Sequence, residues 1–404
     1  MLGRIWKRGK KETKVLEEEE IITTLEEEQV AKAKKTKVGK FQIIETKLKY
    51  KYDIKSLFEI MMDLTPPVVN LHISPGFPPY FRYNGELLVT DLPPLTVEES
   101  AKLLYQYCPS DKIHEFEKNY CVEFCNEVPG LSKFRANLRK ENRGIGGVFK
   151  RLPSKSFSID QLNLPKIYKD IAKNEQGLIV ISGPPNSGKT TTVGALVKFI
   201  SNTRTCKILV LEKVIEAIHP TKKGIVIHKE IGKDVPSCKH GIEQAFLEDV
   251  DVIVTGEIED RESIELLLKA ARAGMLVITE FYPKGTVKTL ERIISLFPES
   301  EHNNICQQLS KSLLAVTSQC IVHKKSSQGK TLVSEILLAN TEVRISIKEG
   351  NFSQIPMIIE RSRSEGMQSL DDELENLLKE NKISYDMVKN YCISPERFIS
   401  QEEK

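Results

Sequence analysis

The chain has 404 residues, of which 40% are hydrophobic and 28% are charged, and its formal net charge is only +3. This composition is ordinary for a globular protein and predicts two or three domains. The small net charge gives no concentrated basic face, which argues against nucleic acid as a partner. No apolar run approaches the roughly 20 residues of a membrane helix, and the basic start lacks the apolar segment of a secretory signal.

The eight cysteines are scattered along the chain and include no C-x-x-C pair. This spacing argues against a disulfide framework and against a four-cysteine zinc site. We therefore expect a reducing, cytoplasmic location.

Residues 1–45 are predicted to form a charged, disordered leader. Two acidic runs, Glu17–Glu20 and Glu26–Glu28, precede a lysine-rich stretch, and few apolar residues lie between them. Such a composition cannot bury enough apolar surface to fold by itself. A contact of Trp6 and its basic neighbours with a membrane face or a partner is the less favoured alternative.

Residues 46–155 have the pattern of a small α/β domain. Apolar residues recur at helical spacing over 54–64, and a second helix is predicted from Val97 to about Tyr107. Short strand-like runs separated by Pro and Gly fill the rest of this segment. They are VVNLHI, PYFRY, ELLVT, CVEF, KFRANLR and GGVFKRL. The stretch over 152–165 is interpreted as a linker.

Residues 156–404 are predicted to form a second domain in which strands and helices alternate. Four short apolar runs suit parallel strands that are buried on both faces. They are GLIVISG, KILVL, VDVIVTG and MLVIT. Helical segments at about 238–248 and 261–273 lie between them, an order typical of a nucleotide-binding α/β sheet. Beyond about residue 288 the chain is predicted to be mostly helical, with an amphipathic helix-rich end over 370–396.

The first of these strands leads into GPPNSGKTT, which fits the pattern G-x-x-x-x-G-K-[ST]. In this pattern, glycines let backbone N–H groups face a phosphate, the lysine reaches the β- and γ-phosphates, and the hydroxyl is a ligand for Mg²⁺. Because the motif stands between a predicted strand and a predicted helix, we expect ATP and Mg²⁺ to bind there. The expected binding residues are Gly183, Pro184, Asn186, Ser187, Gly188, Lys189, Thr190 and Thr191, with Thr190 as the Mg²⁺ ligand.

Hydrolysis of the nucleotide also requires a carboxylate that places or polarises the attacking water. Glu212 follows the run KILVL, and Glu257 follows DVIVTG. Both would stand at the carboxyl ends of parallel strands, where such sheets bind their ligands. We therefore expect both glutamates to be catalytic residues.

Several stretches together resemble the secretion-ATPase family, and within it the type IV pilus retraction, or twitching-motility, ATPases. The resemblance runs from about Tyr52 to Phe398. It is carried by NLHISPGFPPYFRYNGEL, FRANLRKENRGIGGVFKRLPSK, GLIVISGPPNSGKTTT, TGEIEDRESI, KTLERIISLFP and LSKSLLAVTSQ. TEVRISIKEG is similar to a signature of retraction rather than extension motors. The four-cysteine zinc insertion that extension and type II secretion members generally carry is missing from this sequence.

The resemblance implies a PAS-like amino-terminal α+β domain followed by a RecA-like P-loop ATPase domain with a helical carboxy-terminal part. It implies a homo-hexamer, or a mixed ring with a paralogous ATPase, in which ATP binds between the two domains. Such a ring would be cytoplasmic and peripheral to the inner membrane, at the base of a pilus or secretion machine, where it would contact a platform protein. No transmembrane segment and no nucleic-acid partner are expected.

The resemblance also assigns roles position by position. The matching residues are Lys189 and Thr190 (Walker A), Glu257 (Walker B), Glu212 and Glu216 (the acidic box), and Arg135 and Arg143 (arginines that meet the phosphates when the domains close). The two arginines are therefore added to Glu212 and Glu257 as expected catalytic residues.

Several positions around the expected γ-phosphate depart from the family pattern. The acidic box reads Glu-Lys-Val-Ile-Glu instead of Glu-Asp-Pro-Ile-Glu, which puts Lys213 in place of a carboxylate. The two usual histidines of the histidine box fall at Met275 and Tyr282, and a usual threonine falls at Glu280. Arginines of the family are replaced at Lys150, Leu247 and Glu259. Because the phosphate loop itself is intact, these changes predict retained ATP binding with slow turnover.

Two functional hypotheses follow. The first is a hexameric motor that hydrolyses Mg·ATP to drive pilus retraction. The second is a divergent, non-motor paralogue that binds ATP, hydrolyses it poorly and acts as an accessory or regulatory ring subunit. The survival of Lys189, Thr190, Glu212 and Glu257 favours an ATPase, with reduced activity.

Overall fold

The computed structural model describes residues 35–38, 41–44, 46, 52–64, 70–83, 86–152, 157–219, 221–325 and 329–401. The chain divides into two compact units, Met1–Ser154 and Lys155–Lys404. The acidic runs and Trp6 of the predicted leader lie outside the described residues. The end of that predicted leader differs from the expectation, since residues 35–38 and 41–44 are strands.

The first unit is built on one eight-stranded sheet. Its strands are β1 Lys35–Val38, β2 Phe41–Ile44, β3 Asn70–Ile73, β4 Tyr80–Tyr83, β5 Glu86–Thr90, β6 Cys121–Val128, β7 Ser132–Glu141 and β8 Gly144–Arg151. Their spatial order is β1-β2-β5-β4-β3-β8-β7-β6. Neighbours are antiparallel except β2 and β5, which run parallel. All six predicted strand runs of this unit overlap strands β3 to β8.

Among the described residues of this unit, three helices accompany the sheet. They are α1 Ile54–Asp63, α2 Val97–Tyr107 and α3 Ser110–Asn119, of which the third was not predicted. α2 begins at a capping box, in which the Glu99 N–H donates to the Thr96 hydroxyl and the Thr96 N–H donates to the Glu99 carboxylate. α1 buries its apolar face, and its Phe58 ring stacks on Phe134 with centroids 4.0 Å apart. This aromatic packing joins the helix layer to the sheet.

The second unit contains a seven-stranded sheet. Its strands are β9 Gly177–Ser182, β10 Lys207–Glu212, β11 Ile225–Glu230, β12 Val252–Glu257, β13 Leu276–Phe281, β14 Leu313–His323 and β15 Lys330–Leu338. The order is β11-β10-β12-β13-β9-β14-β15, and only β15 is antiparallel to its neighbour. In the central β9, Leu178 and Val180 join one apolar core while Ile179 and Ile181 join the other. The α/β prediction is therefore confirmed, with a strand that is buried on both faces.

Ten helices of the described ranges of this unit surround the sheet or follow it, including short ones. They are α4 Ile167–Ala172, α5 Lys189–Thr203, α6 Cys238–Ala245, α7 Arg261–Arg272, α8 Thr286–Ser295, α9 Glu299–Ser312, α10 Thr341–Lys348, α11 Ile355–Arg361, α12 Leu370–Lys379 and α13 Tyr385–Tyr391. Within the part of the chain that the structure describes, no helix is long and apolar enough to cross a membrane.

The prediction of a mostly helical region beyond residue 288 is wrong for residues 313–323 and 330–338. These residues form β14 and β15. β14 pairs with β9 on one side and with β15 on the other, and most of its side chains, on both faces of the sheet, are buried. A strand of this kind lacks the alternation of apolar and polar residues that identifies a half-buried strand. From Thr341 to Gln401 the chain is mostly helical, as predicted.

A buried carboxylate holds the carboxy-terminal helices against β15. Glu373 of α12 accepts the Ser334 N–H at 2.6 Å and the Gln368 amide at 2.7 Å. Burial raises the pKa of Glu373 from its ordinary value of 4.5 to about 7, against the opposing effect of these two hydrogen bonds. Since the folded state binds the proton more tightly, stability falls as the pH rises from about 4.5 through about 7.

We expect Glu373→Gln to stabilise the protein at pH 8.5 and to have little effect at pH 5. The gain is at most about 3 kcal/mol, or roughly 5 °C in Tm, because glutamine keeps an oxygen acceptor without the buried charge. Thermal unfolding at the two pH values checks this. Glu375→Gln on the same helix is the matched control, because ion pairing lowers the pKa of Glu375 and its loss should destabilise the protein at pH 8.5. Equal shifts of Tm for Glu373→Gln at both pH values would contradict the assignment.

Candidate functional site

The phosphate loop, residues 183–188, connects β9 to α5 at the carboxyl edge of the parallel sheet. Gly183 has φ +145° and Gly188 has φ +88°, backbone conformations that glycine adopts readily. A Cβ atom added to Gly183 would lie 2.2 Å from the backbone oxygen of Gln319. The loop therefore excludes a side chain at its first position, and α5 begins immediately after it with its positive dipole end towards the loop.

Strand β14 supports the loop from the side. The Gln319 side-chain amide donates to the Ser187 carbonyl at 3.0 Å, and the Ser182 hydroxyl donates to the Thr317 carbonyl at 3.2 Å. Ser187 is buried, and its hydroxyl has no hydrogen-bond partner among the described residues. Sequence reasoning missed this support because it placed β14 in a helical region. The quoted stretch LSKSLLAVTSQ, which ends at Gln319, was the available signal.

Lys189 is the first residue of α5 and is buried under the loop, with 6% of its surface exposed. Its ammonium donates to the carbonyl of Gly183 at 2.8 Å and to that of Pro184 at 3.3 Å. Its Nζ lies 3.0 Å from Glu257 Oε1 and 5.3 Å from the centre of the Tyr282 ring. The structure thus brings together Lys189 and Glu257, two residues predicted for the site, at the ligand edge of the sheet.

Glu280 lies directly beside Glu257, because β12 and β13 pair these two residues in register. Glu280 is buried, with 6% of its surface exposed, and the Thr190 hydroxyl points to its Oε2 at 3.5 Å. Burial raises the pKa of Glu280 to about 8; Lys189 opposes this rise and Glu257 adds to it. Sequence reasoning had noted Glu280 only as a departure from the family pattern. The structure makes it a wall of the phosphate site.

Glu212 stands at the end of β10 and faces an imidazole that sequence reasoning did not identify. Its Oε2 is buried without a hydrogen-bond partner among the described residues, and His228 Nδ1 lies 3.6 Å away. The His219 backbone N–H donates to His228 Nε2 at 3.1 Å. In a neutral His228 the remaining proton therefore sits on Nδ1, towards Glu212, a tautomer assigned from the hydrogen bonds. The signal in the sequence was a histidine on a strand next to β10, but β11 was not predicted.

The side chains around the loop fit a nucleotide with a divalent cation. Thr190 is exposed at the mouth of the loop, the Glu280 carboxylate lies 3.5 Å from its hydroxyl, and Glu257 is the strand neighbour of Glu280. Hydroxyl and carboxylate oxygens are the ligands that Mg²⁺ prefers. Across the described ranges, no group of three His, Cys, Asp or Glu side chains could hold a metal by itself. Phosphate oxygens would therefore have to supply part of the coordination.

The other departures from the family pattern lie in different surroundings. Met275 is half-buried and packs against the apolar core, whereas Tyr282 is 45% exposed beside Lys189. Lys213 and Glu259 are exposed, and Leu247 is 87% exposed at the end of α6. Of these positions, only Tyr282 contacts the loop lysine.

The two predicted arginines belong to the first unit, and each already has a neighbour there. Arg135 forms a bidentate ion pair with Glu123 across β6 and β7, with N···O distances of 2.6 and 2.9 Å. Arg143, in the turn between β7 and β8, lies over the ring of Phe77 at 5.5 Å. Both side chains are at least partly exposed.

Comparison with known proteins identifies the family. The family described as type II/IV secretion system protein matches residues 152–389. The type IV pilus retraction ATPase PilT of Pseudomonas aeruginosa is 34% identical over 329 residues, which cover 81% of this chain and 95% of that protein. A twitching motility protein of Neisseria gonorrhoeae is 33% identical over 306 residues, covering 76% and 82% of the two chains.

Solved structures agree with this assignment. The crystal structure of the pilus retraction motor PilT with bound ADP superposes with a TM-score of 0.75 at 28% identity and covers 86% of this chain and 99% of that one. The ATPase DotB of Legionella pneumophila, at 19% identity, has the same fold with a TM-score of 0.73 and covers 85% and 96%. With an intact phosphate loop, a lysine–glutamate pair beneath it and these relatives, the chain belongs to the type II/IV secretion ATPase family, as a member resembling the PilT retraction ATPases.

Proposed function

We propose that this protein is a Mg²⁺-dependent ATPase that forms a hexameric ring and drives retraction of a type IV pilus. It would act at the cytoplasmic face of the inner membrane, against a platform protein of the pilus. The observation that carries the proposal is the pairing of Lys189 Nζ with Glu257 Oε1 at 3.0 Å under the phosphate loop. The names of the PilT and twitching-motility relatives support the pilus assignment.

The proposed roles follow from position. The backbone of residues 183–188 and the start of α5 bind the phosphates. Pro184, Asn186 and Ser187 belong to this loop, and Thr191 follows it in α5. On nucleotide binding, Lys189 would leave the carbonyls of Gly183 and Pro184 and contact the β- and γ-phosphates. A bound Mg²⁺ would neutralise phosphate charge, and Thr190 is the residue positioned to hold it.

The two glutamates at the strand ends are proposed to position the attacking water and to accept its proton. Glu257, at the end of β12 beside the loop, would orient the attacking water, and Glu212 would complete the polar edge of the site from β10. His228, whose Nδ1 lies 3.6 Å from Glu212 Oε2, is the imidazole nearest to this carboxylate among the contacts described above. For Arg135 and Arg143, the proposal that they contact phosphate rests on the family resemblance alone.

A second candidate function is an accessory ring subunit that binds ATP but hydrolyses it poorly. It is favoured by Glu280, a buried carboxylate 3.5 Å from the Thr190 hydroxyl, at a position where the family pattern has threonine. When it is ionised, a carboxylate there opposes the approach of a phosphate, since both then carry negative charge.

Steady-state ATP hydrolysis with Mg²⁺ distinguishes the two functions. We expect slow turnover by the wild type and a loss of about 100-fold or more in Glu257→Gln, with nucleotide binding retained, because the variant keeps the shape but not the base. Glu259→Gln, an exposed glutamate two residues away, is the matched control and should match the wild type. If the wild type binds nucleotide tightly but turns over no faster than Glu257→Gln, the motor is excluded and the accessory subunit is supported.

A further inference from the structure

Glu280 is the feature of the site that the proposed roles do not use. Its carboxylate is buried at the end of β13, next to the Glu257 carboxylate and beside the loop lysine. The Thr190 hydroxyl, the group positioned to hold the cation, donates to its Oε2 at 3.5 Å. Burying a carboxylate without a compensating charge is unfavourable, so we expect this buried acid to have a function in the site.

We propose that Glu280 is a protein ligand of the divalent cation that accompanies the nucleotide, and that it acts together with Thr190. The proposal rests on the proposed function of the nucleotide site and deepens it. With Glu280 as a ligand, the protein would offer the cation a carboxylate that a site with threonine at position 280 lacks.

The spacing of the two oxygens fits shared coordination. Two ligands in adjacent positions on an octahedral Mg²⁺, each at 2.0–2.1 Å, are about 3 Å apart. Glu280 Oε2 and Thr190 Oγ1 are 3.5 Å apart without a cation. A movement of about half an ångström by either side chain brings them to the coordination distance. Neither group has to change its strand or helix.

The charges around Glu280 also favour the binding of a cation. The ammonium of Lys189 lies 3.0 Å from Glu257 and donates to two loop carbonyls, so it is already shared among several acceptors. A nucleotide would add phosphate charges to a site that contains Glu257 and Glu280. One lysine cannot balance both carboxylates and the phosphates, whereas a divalent cation between Glu280, Thr190 and a phosphate oxygen reduces this repulsion.

The consequence is an unusually strong coupling between cation and nucleotide binding. Without the cation, Glu280 in its ionised form repels the phosphates and weakens nucleotide binding; because burial raises its pKa to about 8, this repulsion is complete only above that pH. With the cation, the same carboxylate becomes an attractive partner. Replacing Glu280 should therefore have opposite effects in the two conditions, and this distinguishes a cation ligand from a residue that only repels phosphate or only supports the fold.

The test is a binding cycle with a fluorescent ADP analogue. Its affinity is measured at pH 9, above the pKa of Glu280, in EDTA and in excess Mg²⁺ for the wild type, Glu280→Gln and Glu280→Thr, with Glu259→Gln as the control. We expect both Glu280 variants to bind the metal-free analogue more tightly than the wild type. The factor by which Mg²⁺ strengthens binding should fall by about tenfold or more in both variants and remain unchanged in Glu259→Gln.

Mn²⁺ electron paramagnetic resonance provides a second readout that does not depend on fluorescence. In the presence of ADP, the variants should hold Mn²⁺ about tenfold more weakly than the wild type. If Glu280→Gln tightens nucleotide binding equally with and without Mg²⁺, Glu280 is only a repulsive group and the proposal is wrong. If neither affinity changes, it is a structural residue and the proposal is again wrong. Failure of the wild type to bind the analogue at all would instead overturn the proposed function of the site.

Discussion

Replacing Lys189 with alanine is expected to weaken nucleotide binding by about 100-fold and to abolish turnover. The ammonium is the charged donor inside the loop, and charge-assisted hydrogen bonds to phosphate are stronger than neutral ones. Its loss also removes the positive charge 3.0 Å from Glu257 and leaves that residue beside Glu280 without compensation. The phosphates would then meet the uncompensated carboxylate of Glu257. Titration with a fluorescent ADP analogue measures the effect.

Two further variants separate lost binding from lost folding. Breaking a buried ion pair can cost about 3–5 kcal/mol, so Lys189→Ala is also expected to lower the Tm. Combining it with Glu257→Gln removes the orphaned charge and should recover most of the Tm but not the nucleotide affinity. Lys198→Ala, on the same helix but about two and a half turns from its start, is the matched control for the loss of a lysine. A change of less than threefold in affinity for Lys189→Ala would show that the lysine does not contact the phosphates.

Replacing Gly183 with alanine is the second substitution with a large expected effect. The added Cβ would lie 2.2 Å from the Gln319 backbone oxygen and 2.7 Å from the Ser187 hydroxyl, well inside contact distance. The backbone at φ +145° is itself unfavourable for alanine. β9 or β14 would have to shift, and the loop would lose the N–H directions that bind phosphate. We expect a destabilisation of about 2–4 kcal/mol and loss of measurable nucleotide binding.

Gly232→Ala is the matched control for this prediction. Gly232 also has a positive φ, +89°, but an added Cβ there meets no atom within 4 Å. It should therefore show only the cost of the backbone conformation, about 1 kcal/mol, with nucleotide affinity unchanged. Equal losses of Tm in the two variants, with nucleotide binding retained in Gly183→Ala, would mean that the loop tolerates a side chain at its first position.

The sequence predicted those strands in which the local pattern of apolar residues matches their burial in the sheet. Strands β9, β10, β12 and β13 were found because each is a short apolar run between turn residues. β14 and β15 were missed, since a strand covered on both sides has no alternation to distinguish it from a buried helix. β11 was missed because it lies at the edge of the sheet and its sequence, IVIHKE, is half polar and only partly buried.

By itself, the sequence determined the phosphate loop and the helix behind it, because a turn with two positive-φ glycines and a helix start are set by adjacent residues. Only the tertiary structure decided what surrounds that loop. Thr190 and Glu280 are 90 residues apart, and Ser187 and Gln319 are 132 apart. They meet because β13 and β14 pair with β9 on its two sides, an arrangement that depends on long-range strand pairing. The charge that the nucleotide encounters was therefore set by the order of strands in the sheet.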